Sequence, residues 1–208
     1  MGYTHYWYRP KKLGNKKTFK AFLSDVEKII NFSEKEFGIK IANGCGEPDT
    51  EPTLTEKLIS FNGSDAQPKG MWTTNEDIII PWPSDTASLY DNNPLPDADK
   101  TDGVWFAGTQ VSQRVAPVNN LTGLGSGSYE TVYIPFVLED ETERGLIFQC
   151  CKTAYRPYDL TATAVLVALK HHFPKCKIKS DGKEKDWIDG RHLCHDLFGY
   201  GLDFKIDE

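Results

Sequence analysis

The sequence predicts an α+β domain: a ferredoxin-like βαββαβ sandwich with an extra strand, a C-terminal helix and a long inserted acidic lobe. Three observations predict it. An amphipathic helix pattern follows a short aromatic strand pattern near the start. A second helix pattern, apolar nearly all round, stands between strand patterns in the last third of the chain. Between these halves the periodicity is lost over residues 64–128. Residues 1–208 are therefore expected to form a single domain, with 64–128 as an inserted lobe or lid.

The elements follow in chain order. Tyr3–Tyr8 is aromatic and β-prone, and alternation places Tyr3, His5 and Trp7 on one face with Thr4, Tyr6 and Tyr8 on the other. Thr18–Phe37 is the clearest helix, because Phe19, Phe22, Leu23, Val26, Ile29 and Ile30 recur at helical spacing; Gly38 is a natural stop. Leu58–Phe61 reads as a strand closed by an Asn62-Gly63 turn. The Pro- and Gly-rich stretch that follows carries Trp72, Trp82 and Trp105. Glu130–Leu138 and Gly145–Lys152 read as a hairpin joined by the polar segment Glu139–Arg144. Asp159–Phe173 is a buried helix, with Asp159 as its cap and Pro174 at its end. Lys175–Lys179 is a short strand, and Asp186–Phe198 a weaker helix with Gly190 inside it.

Charge is unevenly distributed along the 208 residues. The net charge is −6, yet residues 1–40 sum to +5, residues 41–140 to −11 and residues 141–208 to zero. The acidic average argues against nucleic acid as a partner, since phosphate contacts need a basic surface, and although Tyr3 and Trp7 could stack bases on a sheet, neither the charge nor an RNP pattern supports an RNA-recognition reading. It leaves a small anion on the scaffold permitted. The longest apolar run, Ala162–Leu169, is too short for a bilayer, so no membrane partner is expected. Five cysteines without a CxxC pair, and a Lys-rich rather than apolar stretch after the first ten residues, predict reduced thiols in a cytoplasmic protein, or a host-cell or virion protein if viral.

Several side chains are candidates for chemistry. His5 on its strand is a candidate acid, base or ligand, against the plainer reading of a packed histidine. Lys152, Thr153 and Arg156 gather donors just before the helix that begins at Asp159, where the helix dipole favours anions. The plainer reading makes Asp159 a cap and Arg156 its ion-pair partner. No Gly-rich turn precedes Lys152, so this is not a phosphate-cradling P-loop. Glu130, Asp159 and Asp181 sit near element ends as a candidate carboxylate pair, with Glu130 as the candidate general base. His171, His172 and Cys176, like His192, Cys194 and His195, match no common zinc spacing, and neither a metal nor another cofactor is expected. Neither a Gly-x-Ser-x-Gly elbow nor a Gly-x-Gly-x-x-Gly fingerprint is present.

Gly2-Tyr3-Thr4-His5-Tyr6-Trp7, Phe61-Asn62-Gly63, Cys151-Lys152-Thr153 with Arg156-Pro157-Tyr158-Asp159, and Ser180-Asp181-Gly182 with Trp187 together resemble a family of uncharacterised proteins from bacteria, their phages and some fungi. The resemblance spans most of the chain outside the acidic stretch and carries no catalytic role with it. The expectation is a soluble domain that binds, with hydrolysis as a further step, a small anionic ligand such as a phosphate-bearing or sugar compound. His5, Glu130 and Asp181 would be catalytic, and Lys152, Thr153, Arg156 and Asp159 would bind the ligand. The alternative is an interaction or structural protein, such as a virion or accessory component, whose protein partner or second copy meets the Trp-bearing insertion.

Overall fold

A computed structural model describes residues 4–37, 39–64, 131–138, 145–153 and 158–208. The expected lobe at 64–128 lies, but for Ser64, outside the described residues, as do the segment 139–144 and the stop at Gly38. The strands on either side of 139–144 do not pair as the expected hairpin: Val132–Pro135 pairs with Leu58–Phe61, and Ile147–Cys151 with His5–Arg9, in separate sheets. The chain has helices and antiparallel strands in an α+β arrangement.

Strand β1 (His5–Arg9) is the middle of a three-stranded sheet, between β6 (Ile147–Cys151) and β7 (Lys177–Ser180). Both neighbours run antiparallel to it, pairing His5 with Cys151 on one side and with Ser180 on the other. The predicted alternation holds: His5, Trp7 and Arg9 are buried, while Tyr6 and Tyr8 are half-buried on the opposite face.

A second sheet is built on β4 (Leu58–Gly63), which pairs antiparallel with β2 (Ile41–Ala42), β3 (Thr53–Leu54) and β5 (Val132–Pro135). The expected turn at Asn62-Gly63 is instead the end of β4, because Asn62 and Gly63 pair with Ala42 and Ile41. Glycine is required there for a different reason. A Cβ on Gly63 would stand 2.4 Å from the Tyr158 ring, so the strand and the ring can touch only without a side chain.

The two sheets are tied through Arg9. Its buried guanidinium donates to the carbonyls of Pro135, of Phe136 at 3.2 Å and of Lys11 at 3.2 Å. Burial pulls the Arg9 pKa down to about 10, which still leaves it cationic at neutral pH.

Helix α1 (Lys16–Phe37) begins two residues before the predicted Thr18, because the Asn15 side chain caps it by accepting the Thr18 N–H at 3.0 Å. Its whole predicted stripe is buried. Helix α2 (Asp159–His172) is buried from its first residue through Leu169 and packs between α1 and α3 (Ile188–Phe198). A short 3₁₀ turn, Glu184–Trp187, leads into α3. Asp25 of α1 accepts from His172 at 2.7 Å and from the Tyr200 hydroxyl at 2.9 Å, joining both ends of the chain. Among the described residues, apolar side chains of both sheets and of α1, α2 and α3 form one core cluster. Among the described residues, no helix is long and apolar enough to cross a membrane.

Candidate active site

The residues His5, Thr153 and Asp159, far apart in the chain, meet in the core. His5 points inward from the central strand and is fully buried. Its Nε2 lies 2.7 Å from Oδ1 of Asp159, the first residue of α2. Its Nδ1 lies 2.9 Å from Oγ of Ser180, the residue facing it across the β1–β7 ladder. Thr153, two residues past the Cys151 that faces His5 on the other side, donates its hydroxyl to the same Asp159 oxygen. The buried Trp187 ring packs beside His5, its centroid 4.8 Å from the imidazole centroid and its plane at 75° to the imidazole.

This geometry orders the donors. A carboxylate accepts only, so in its neutral form the imidazole presents Nε2–H to Asp159, and the Nδ1 lone pair accepts from the Ser180 hydroxyl. Carboxylate, imidazole and hydroxyl thus stand in a line. The order is that of a hydrolytic triad, with the two ring nitrogens used in the opposite sense. Ser180 is half-buried, and its Oγ also accepts the Gly182 N–H at 2.9 Å.

The Asp159 carboxylate does not cap α2, as the sequence suggests. Tyr158 occupies the N-cap position, with no side-chain cap bond, and the Asp159 carboxylate serves His5 and Thr153 instead. A buried carboxylate gains more from these two bonds than from one exposed N–H.

Asp181 does not join this group. It is exposed and accepts the Thr4 N–H at 3.1 Å and the Tyr6 hydroxyl at 2.9 Å, and Tyr6 stands on the face of β1 opposite His5. Burial and this carboxylate push the Tyr6 phenol pKa up. Lys152 directly follows β6 and is half-buried, and its carbonyl accepts from the Tyr158 hydroxyl at 3.3 Å. Glu130 and Arg156 lie outside the described residues.

Ser180 and Trp187 entered the sequence reading only as members of the motifs that carry the resemblance, without a role, and Arg9 did not enter it. Alternation from His5 through Trp7 is enough to place Arg9 in the core. The pairing of Ser180 with His5, 175 residues away, leaves no local trace. Comparison with models of protein families, with curated proteins and with solved structures found no match to this chain.

Proposed function

We propose that the protein binds a small anionic ligand, such as a sugar phosphate, where β7 meets the start of α2, and hydrolyses it through Ser180, His5 and Asp159. The observation that carries this reading is the position of His5, 2.7 Å from a carboxylate and 2.9 Å from a partly accessible hydroxyl. Ser180 Oγ attacks the phosphoryl or acyl centre as its proton passes to His5 Nδ1. The departing oxygen takes that proton. Water then adds with the same base, releases the acid and restores the serine hydroxyl. Asp159 remains ionised and stabilises the imidazolium between the two steps. Lys152 and the amino end of α2 supply positive potential for the anion.

The scaffold supports a ferredoxin-like reading. β1 stands between β6 and β7, helices α1 and α2 lie between strands in the chain, and Gln149 of β6 donates to the Tyr133 carbonyl of β5 at 2.9 Å. The second sheet is then an elaboration on that core. Cys45, Cys150, Cys176 and Cys194 are free thiols, which fits a reducing compartment.

Two measurements test the reading. A fluorophosphonate probe should label Ser180, as mapped by mass spectrometry, and His5→Asn should suppress the labelling. Inorganic phosphate or a sugar phosphate should raise the melting temperature, and Lys152→Ala should lessen the effect. An unlabelled Ser180 together with no stabilisation by any anion refutes it. The second reading, an interaction or structural protein such as a virion or accessory component, draws support from exposed Tyr133, Val137, Leu146 and Phe148. Light scattering bears on it, and a strict monomer counts against a self-assembling form.

A further inference from the structure

The outer face of the three-stranded sheet carries a different chemistry from the relay on its inner face. Alternation and register place four pairs of neighbours on it: Tyr6 beside Cys150 and Lys179, and Tyr8 beside Phe148 and Lys177. Phe148 is 51% exposed, and Lys177 is exposed. The Phe148 ring lies 5.4 Å from Tyr8 and 6.0 Å from Tyr6, centroid to centroid. The Tyr6 ring is held in place by its hydroxyl bond to Asp181 at 2.9 Å. Three aromatic rings thus stand on adjacent strands, with two lysines along one edge. Asp181, at the rim, is the acidic group in direct contact with the face.

We propose that this face binds single-stranded nucleic acid, with bases stacked on Phe148, Tyr8 and Tyr6 and phosphates on Lys177 and Lys179. The exposed Phe148 ring, flanked by Tyr6 and Tyr8, offers a surface on which unpaired bases can stack, whereas the bases of a duplex are stacked on one another and closed to it. Aromatic platforms flanked by cations are the recurrent chemistry of sequence-tolerant single-strand binding. The expectation against nucleic acid rested on the missing RNP pattern and on the −6 average; that average is dominated by the −11 of residues 41–140, and this face draws its charge from outside that stretch. The site is independent of the relay, because Tyr6 and His5 lie on opposite faces of β1.

The test is fluorescence anisotropy with fluorescein-labelled ten-nucleotide oligo-dT and oligo-U, and with a duplex of the same length, at several salt concentrations. Single strands should bind more tightly than the duplex. Phe148→Ala should weaken binding about tenfold, as expected for one stacked base, and Tyr8→Ala by a similar factor. Lys177→Gln/Lys179→Gln should lower the slope of log K against log salt by about 1.4, at about 0.7 per phosphate contact. Because Phe148 and Lys177 are exposed, these variants should melt with the wild-type protein, which melting curves verify. Three results would overturn the proposal: no binding to either oligonucleotide, a preference for duplex, or binding unchanged in both the aromatic and the lysine variants. So would self-association abolished by Phe148→Ser without any oligonucleotide binding, which would assign the face to a second copy of the chain.

Discussion

Replacing Gly190 by alanine sets local and tertiary physics against each other. Gly190 is the third residue of α3 and is buried. By helix propensity alone, Gly→Ala inside a helix is stabilising by up to about 1 kcal/mol. The structure predicts the opposite sign. A Cβ at this position would stand 2.6 Å from Thr163 Oγ1 and 2.9 Å from the Ala164 backbone nitrogen. Non-bonded carbon contacts are comfortable at about 3.5–4.0 Å, so α3 must withdraw from α2 by roughly 0.6 Å or more. Thr163 has little freedom to yield, because its hydroxyl is held by the Asp159 carbonyl at 2.8 Å and the Leu160 carbonyl at 3.0 Å. Overpacking of this kind costs about 1–3 kcal/mol. The upper part of that range applies, since one of the opposing atoms is backbone. The net expectation is a loss of about 1–2 kcal/mol, or a fall in melting temperature of roughly 2–8 °C for a chain of this size. Urea denaturation followed by circular dichroism measures it. Ser24→Ala, at an exposed position of α1, is the control and should raise stability by a few tenths of a kcal/mol, as propensity predicts. A Gly190→Ala protein as stable as the wild type, or more so, would refute the close-packing argument.

Other perturbations follow from the same geometry. Asp159→Asn keeps the shape of the side chain but removes the charge that serves His5 and Thr153, and should cost about 2–4 kcal/mol in denaturant titrations. Arg9→Met removes the guanidinium donor of the Pro135 carbonyl, while the Phe136 and Lys11 carbonyls keep the Leu13 and Leu138 N–H groups, and a loss of about 1–3 kcal/mol is expected by the same measurement. Burial, with Arg191 and His195 nearby, pulls the His192 pKa down to about 4. The unfolded chain takes up this proton first, near pH 6.5, so stability should fall as the pH drops from about 6.5 to about 4, by up to about 3 kcal/mol. The acid dependence of the urea midpoint should be shallower in His192→Gln over that window; an unchanged slope would show that other groups carry it.

How legible the site was depends on the range of the information. His5 could be chosen because alternation in a six-residue aromatic strand is a local pattern, and the buried strand face bears it out. Thr153 and Asp159 could be chosen because they flank a helix start, and the fold does bring them to His5. Asp181 was chosen on the same kind of evidence, yet it stands across the sheet from His5. Position in the sequence says that a residue is near a strand end; it does not say on which face, since a shift of one residue reverses the side. Ser180, its neighbour, faces the imidazole for that reason alone.

By itself, then, the sequence determined what a short window can carry. It marked the stripe of α1, the all-round apolar character of α2, the inward face of β1 and the uneven charge. These follow from periods of 3.6 and 2 residues and from composition. The tertiary structure decided everything that depends on pairing across long separations. It placed Asn62 and Gly63 inside a strand against Ala42 and Ile41, and turned Asp159 from cap to partner of His5. It also put Ser180 and Asp181 on opposite sides of one sheet. The physical reason is that a hydrogen-bond register and a buried polar partner are chosen by the sum of core packing over the whole chain, which no local period encodes.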